Sequence, residues 1–348
     1  MPSFSNQCVT DFLRRRIAVK PNGTLLLNRH EVAQLLSIDE CITVVERAFK
    51  LYGEGKTTPP GILGMHARDG GFHIKAGFCE KGKSYFVAKI NANFPQNRQR
   101  FDLPTIQGVI ILSDGENGYP LALMDSIEIT IQRTGAATAV AAKYLARPDS
   151  KIITICGCGN QGRIQLRSLM RVRPLQKAFV YDLDERRARL LANEFSQDLF
   201  IEPITKEHLS ACVKRSDICV TCTPSRQCFL HRDFIAPGTF VAAVGADSEE
   251  KQEIDPALFM SNKIVVDILE QCATIGDLHH AVQKGLIRKS DAHAELGQVV
   301  AGKKPGRIAD DEIIVFDSTG MALQDAAAAV LVYEKAAGTG IGVSLDFC

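Results

Sequence analysis

The spacing of apolar residues changes repeatedly along this chain, and each change marks a different kind of element. Leu25–Leu27 reads as a short strand, and Asn28 caps a helix over Arg29–Leu35. Between Ser37 and Tyr52, Ile42, Val45, Ala48, Phe49 and Tyr52 recur at helical spacing, and Gly53 and Gly55 close that helix. From Thr57 to Leu123 the apolar runs shorten to Phe72–Ile74, Tyr85–Ile90, Val109–Leu112 and Leu121–Met124. They are separated by DGG, EKGK, NFPQN and DGENGYP, the signature of a mostly antiparallel sheet. Ser126–Leu145 follows as a long Ala-rich helix, capped by Ser126 with Glu128 and closed before Pro148.

From Lys151 onward strands and helices alternate. Near-continuous apolar strands are expected at 151–156, 177–182, 199–202, 217–222, 239–244, 263–267 and 313–317. Helices are expected around 160–171, 184–195 and 205–214. Such alternation gives a parallel, doubly wound sheet. A helix over Met321–Ala337 and a short strand over Val343–Phe347 end the chain and return to its first part. The fold class is therefore α/β, a Rossmann-type doubly wound parallel sheet beside a mixed α+β unit.

The densest chemistry lies in Lys151–Asp182. An apolar run leads into Gly157-x-Gly159-x-x-Gly162, a helical segment follows, and a second apolar run ends on Asp182. The first glycine permits a tight turn, the second lets backbone approach a pyrophosphate, and the third lets helix and strand pack closely. The next helix offers free N–H groups and the positive end of its dipole to phosphates. Asp182, about 20 residues further on, is placed for the hydroxyls of an adenosine ribose and would repel a 2′-phosphate. NAD is the expected cofactor.

Composition narrows the class further. The 348 residues suit about two domains. A net charge of +1 gives no reason to expect nucleic acid or an anionic membrane surface as partner. No apolar run reaches the roughly 18–20 residues of a membrane span. The first residues lack the continuous apolar core of a secretory signal; Arg14–Arg16 with Asp11 read as a solvated arm. The eleven cysteines are scattered, several inside apolar strands. Cys219-x-x-Cys222 lies within one such strand with no second pair to complete a metal site, so no metal and a reducing cytoplasm are expected.

A sheet of this kind binds its ligand beyond the carboxyl ends of its strands. Those ends carry Thr221-Cys222-Thr223-Pro224-Ser225, Gly245-Ala246-Asp247 and Asp317-Ser318-Thr319-Gly320. Asp247 suits proton transfer, or equally the cap of a following helix. Lys75, Lys89 and Arg133 in the first part are cationic candidates, although a lone Lys in a strand or Arg on a helix is usually a solvated charge.

Seven segments carry a resemblance: Lys89-Ile-Asn-Ala-Asn-Phe-Pro95, Leu103-Pro-Thr-Ile-Gln-Gly108, Gly118-Tyr-Pro120, Arg133-Thr-Gly-Ala-Ala-Thr138, Leu145-Ala-Arg-Pro148, Val244-Gly-Ala-Asp247 and Phe316-Asp-Ser-Thr-Gly320. Together they resemble the ornithine cyclodeaminase/μ-crystallin family, which includes archaeal-type alanine dehydrogenases and cyclic ketimine reductases. The resemblance implies a substrate-binding and dimerisation domain from residues 1–132 with 321–348, and an NAD-binding domain from 133–320. It implies that Lys89 and Arg133 hold a substrate carboxylate while Asp247 manages protons. Thr105, Asn160, Gln161, Asp182, Thr223, Val244 and Ser318 would line the NAD site, with Lys251 near cofactor or substrate. It also implies a homodimer whose two sheets meet.

Two departures bear on the substrate. Many relatives carry an Arg shortly after the first Pro pair, where this chain reads Pro59-Pro60-Gly61-Ile62-Leu63-Gly64. Cyclodeaminases place a Glu in the preceding strand for ornithine's distal amine, and the counterpart here is His73 or Lys75. A Lys there repels a second ammonium and suits a carboxylate. The expected activity is NAD-dependent oxidation or reduction at the C–N bond of an L-α-amino acid, N-substituted amino acid or cyclic imino acid. A cyclodeaminase using NAD catalytically, or a μ-crystallin-like protein that only binds cofactor and ligand, are the alternatives.

Overall fold

The structure is a computed structural model, and it describes residues 23–58 and 60–346. The expected N-terminal arm, Pro59 and Phe347 lie outside the described residues. In the first part of the chain are β1 (Thr24–Leu27), β2 (Gly61–Ala67), β3 (Gly70–Lys81), β4 (Lys83–Asn93), β5 (Ile106–Asp114) and β6 (Pro120–Asp125). The later strands are β7 (Ile152–Cys156), β8 (Lys177–Tyr181), β9 (Phe200–Pro203), β10 (Ile218–Thr221), β11 (Arg226–Leu230), β12 (Phe240–Ala243), β13 (Gln252–Ile254), β14 (Lys263–Val266), β15 (Ala294–Glu295), β16 (Ile314–Asp317) and β17 (Val343–Leu345).

One sheet runs β17-β1-β6-β5-β4-β3-β2 and is antiparallel except where β1 meets β6. Its long β3–β4 hairpin turns at Gly82, whose φ of +76° suits glycine. Register fixes which side chains share a face. Ile62, Lys75, Lys89 and Ile110 form one cross-strand row, and Leu63, Ile74, Ile90 and Val109 form the next, on the opposite face. The helices Ile38–Gly53, Ser126–Leu145 and Ala322–Thr339 pack together, the last two also against this sheet. Most of Ser126–Leu145 is buried, in keeping with its Ala-rich sequence.

The second sheet runs β15-β14-β16-β12-β10-β7-β8-β9 and is parallel throughout. Its central strands are buried end to end, which is why they read as continuous apolar runs. The small β11–β13 pair lies apart from it. Several expectations need correction. Ser126 does not cap the long helix; Asp125 does, accepting from the N–H groups of Ile127 and Glu128, because the helix already begins at Ser126 and leaves Asp125 at the N-cap position. Cys222 lies just past β10, not within it, with Sγ directed at the carbonyls of Cys156 and Gly157. Helices at Leu269–Ile275 and Asp277–Gln283 were not anticipated. Among the described residues, no helix is long and apolar enough to cross a membrane.

Candidate active site

At the carboxyl end of β7 the chain turns through Gly157, whose φ is +102° and whose N–H donates to the Tyr181 carbonyl at 2.8 Å. A Cβ on Gly162 would lie 2.0 Å from the Gly157 oxygen, so the helix Asn160–Leu169 rests directly on the turn. A Cβ on Gly159 would meet no atom within 4 Å. That open side lies at the start of a helix whose N-cap makes no side-chain hydrogen bond, where the first-turn backbone N–H groups have no intrahelical acceptor. Within the first turn, the buried Oε1 of Gln161 has no partner among the described residues. Asp182 accepts from the N–H groups of Cys158 (2.8 Å) and Asp184 (2.9 Å), which pins the end of β8 to the glycine turn. These features fit the diphosphate and ribose of a dinucleotide.

Sheet order brings further candidates to the same edge. Thr223, Val244 and Ser318 follow or end the adjoining strands β10, β12 and β16. Thr223 is held through its N–H (2.6 Å) and hydroxyl (2.7 Å) by Glu253, whose other oxygen accepts from the Gly245 N–H at 2.9 Å. Ser318 donates to Asp267, which also takes the Thr319 hydroxyl and the Gly320 N–H. Thr105 lies in the bend that leads into β5 of the other sheet, its carbonyl accepting from the Phe94 N–H.

No helix starts after Asp247, so the capping alternative falls away. Its side chain is 56% exposed and pairs with Lys251 at 2.5 Å. Burial by surrounding protein opposes its ionisation, yet Lys251, with Lys75 and His73 behind it, holds the carboxyl below the usual range. Lys75 of β3 also donates to carbonyls of the loop after β16, so the two sheets' polar ends meet at one crevice.

Across that crevice, Lys89 and Arg133 are buried, 3% and 7% exposed, and not the solvated charges their positions suggest. Both bind one carboxylate: Lys89 Nζ lies 2.7 Å from Asp325 Oδ2, and Arg133 Nε lies 3.1 Å from Asp325 Oδ1. Arg133 also donates to Gln324 Oε1 at 2.9 Å, and Thr130 stands 3.5 Å from Lys89. Burial pushes the Lys89 ammonium down to about 7 despite Asp325, with Arg133 and Lys75 adding to the fall. Lys75 lies directly opposite Lys89 in the β3–β4 register. Its ammonium donates to the carbonyls of Thr319 (3.1 Å) and Gly320 (2.6 Å). Burial and then Arg133 lower its pKa. Gly320 has φ +84°, and a Cβ there would lie 2.6 Å from an Arg133 nitrogen, so only glycine admits this guanidinium.

Two cations thus bind one carboxylate while a third, Lys75, acts on it through its charge, and each keeps an N–H donor beyond those named. Asp325, Gln324, Thr130, Glu253 and Asp267 were missed from sequence. The available signal was a Gln-Asp pair inside the apolar run ALQDAAAAVLV.

A dinucleotide turn facing a basic pocket defines the class as a dinucleotide-dependent oxidoreductase of small organic acids. The chain belongs to the ornithine cyclodeaminase/mu-crystallin family, whose model matches residues 22–340. It is 39% identical to an alanine dehydrogenase of Archaeoglobus fulgidus over 93% of this chain and 98% of that protein. An archaeal alanine dehydrogenase dimer with bound NAD superposes with a TM-score of 0.89 at 38% identity, over 93% of this chain and 99% of that one. The Thermococcus litoralis Δ1-pyrroline-2-carboxylate reductase, in complex with NADH and L-proline, gives a TM-score of 0.87 at 35% identity, over 92% of this chain and 100% of that one.

Proposed function

We propose that this protein is an NAD-dependent oxidoreductase acting at the C–N bond of an L-α-amino acid, N-substituted amino acid or cyclic imino acid. The observation that carries the reading is the convergence of Lys89 and Arg133 on the single carboxylate of Asp325, with Lys75 opposite Lys89 and its charge acting on the same carboxylate. Such a pocket holds more positive than negative charge and keeps donors free for an incoming acid group. The relatives named above act on, or bind, small amino and imino acids.

In this reading Lys89 and Arg133 grip the substrate carboxylate and Lys75 is a further donor to it. Gly157, Gly159, Asn160, Gln161, Gly162, Asp182, Thr223, Val244 and Ser318 hold NAD, with Thr105 and Lys251 at its margin. Bound NAD supplies or accepts the hydride at the substrate α-carbon. Fixing the carboxylate orients that carbon and removes a search through solvent. Asp247, ionised and beside Lys251, stabilises positive charge at the substrate nitrogen and carries its proton. A distal ammonium would meet Lys75, which disfavours ornithine and lysine.

Residues 1–132 with 321–348 serve as the substrate-binding and dimerisation unit and 133–320 as the NAD unit, with Ser126–Leu145 running unbroken through their junction. The protein acts as a homodimer. The nine described cysteines are all free, which suits the reducing cytoplasm.

A spectrophotometric panel tests the function: NADH loss with pyruvate plus ammonia or amines and with cyclic imino acids, and NAD reduction with amino acids. The expected outcome is net NADH turnover with at least one of these. Ammonia release without net NADH would move the protein to the cyclodeaminases. Bound NADH with silence in every assay would make it a binding protein of the μ-crystallin kind.

A further inference from the structure

We propose that Asp325 is a positioning residue of the active site, holding Lys89 charged and Lys89 and Arg133 in the one arrangement that receives the substrate carboxylate. The inference rests on the reading that those two cations bind that carboxylate.

Asp325 is 1% exposed and stands in the first turn of the helix Ala322–Thr339, where the helix dipole favours a negative charge. Met321, at the helix N-cap, gives no side-chain hydrogen bond, so a carboxylate in this turn has no competitor from the cap. Each of its oxygens serves a different cation, Oδ2 for Lys89 at 2.7 Å and Oδ1 for Arg133 at 3.1 Å. The two cations come from β4 and from the helix Ser126–Leu145, so a single carboxylate sets the distance between two elements. It consumes one N–H of each; with Thr130 on Lys89 and Gln324 on Arg133 also served, one N–H is left on Lys89 and three on Arg133 for another acid group. Gln324 fixes the guanidinium plane from the adjoining position, and Gly320 bounds its far edge. Nothing in this arrangement requires Asp325 to touch substrate.

The charges around Lys89 show why a neutral residue would not serve. Lys75 faces it from β3 and Arg133 from the long helix, both repelling its charge, while Asp325 alone among its named neighbours attracts it. Behind them Cys41 of the helix Ile38–Gly53 feels Arg133 and Asp325. Asp267 and Asp247 act on Lys75. Without Asp325, Lys89 would lose its proton at lower pH, and a neutral amine grips a carboxylate weakly. Affinity for the acid group is therefore present below the pKa of Lys89 and is lost as pH rises through it. Removing Asp325 moves that loss to more acidic pH.

The test uses the full-length protein with NADH and Δ1-pyrroline-2-carboxylate, read both by NADH oxidation and by the fluorescence of bound NADH on titration, which needs no turnover. Asp325→Asn keeps the shape and removes the charge. Expected are a rise in KM or Kd of about tenfold or more at pH 7.5, a smaller change in kcat, and an alkaline limb moved about one pH unit towards acid. NADH affinity should stay unchanged. Lys89→Met and the double variant Lys89→Met/Asp325→Asn complete a cycle, and Asp325→Asn should cost less binding in the Lys89→Met background than in the parent, the loss that remains being its hold on Arg133. If Asp325→Asn does not fold alone, the double variant against Lys89→Met decides: a loss well under about tenfold is expected, and a loss as large as about tenfold would overturn the proposal. An unmoved pH limb with unmoved KM, or strictly additive losses, would overturn the proposal. If Lys89→Met itself leaves binding unchanged, the carboxylate reading of the pocket fails instead.

Discussion

An ideal Cβ on Gly162 lies 2.0 Å from the Gly157 carbonyl oxygen, whereas one on Gly159 meets no atom within 4 Å. Gly159 also has φ −79°, a value any residue adopts. The two positions therefore separate what folding needs from what a ligand needs. Gly159→Ala should leave Tm within about a degree of the parent, since it adds a methyl to open space and strains no dihedral. It should weaken NADH by about tenfold or more, ~1.4 kcal/mol, because the methyl stands where a diphosphate must approach backbone. Gly162→Ala should cost about 1–3 kcal/mol of stability, lowering Tm by several degrees, because helix and turn must separate. Calorimetry and NADH fluorescence titration of both variants check this. Equal NADH affinity in Gly159→Ala and the parent would remove the diphosphate from the turn.

Between elements, the carboxyl edge of the parallel sheet is tied by acids that have no cation partner among the described residues. Glu253 of β13 straps the loops after β10 and β12, and Asp277, which opens the helix Asp277–Gln283, accepts from the backbone N–H groups of Glu253 (2.8 Å) and Ile254 (3.1 Å). The second oxygen of Asp277 has no partner among the described residues. Burial, then the neighbouring Glu253, pushes the Asp277 carboxyl up to about 8. An acid with a raised folded pKa binds its proton more tightly folded than unfolded, so stability falls as pH rises from about 4, the unfolded value, towards 8. Asp277→Asn keeps the accepting oxygen and needs no proton. Its Tm relative to the parent should improve steadily between pH 5 and about 8.5, past that folded pKa; a constant offset across that range would show that Asp277 ionises normally.

The same elements show what could be read beforehand. Strands β7, β8, β10, β12, β14 and β16 were legible because strands covered on both faces must be apolar throughout. β2 was not, since all its side chains are exposed; β11 opens on the exposed polar pair Arg226 and Gln227, and β13 is only three residues long. In the pocket, Lys89 and Arg133 stood out through the family resemblance, whereas their burial did not. Asp325 escaped because its partners lie 236 and 192 residues away, and no local pattern records such a contact. Asp247 was legible as a strand-end acid, and only the absence of a following helix removed its capping role.

At the scale of the whole molecule, the sheet that carries Lys75 and Lys89 on one face leaves an apolar face on the other. Leu63 (54% exposed), Ile74, Ile90 and Val109 form one cross-strand row there, and Met65 (56%), Phe72 and Ala92 lie in the next row on that face. A contiguous exposed apolar patch of this kind is a candidate interface, and the archaeal relative described above is a dimer. A second copy of this chain is the proposed occupant. The interface row is one residue out of register with the row of Lys75 and Lys89, so the face a partner would cover backs directly onto the pocket. Leu63→Lys/Met65→Lys places like charges where two copies would meet, each paired with its own image or a near neighbour across a two-fold axis. Sedimentation should show a dimer for the parent and a monomer for the double variant at micromolar concentration. NADH affinity should persist, because the glycine turn belongs to the other sheet, while KM for the acid substrate should rise as β3 and β4 lose their backing. A monomeric parent would remove the dimer. A monomeric variant with parental KM would keep the dimer and show that it does not support the pocket.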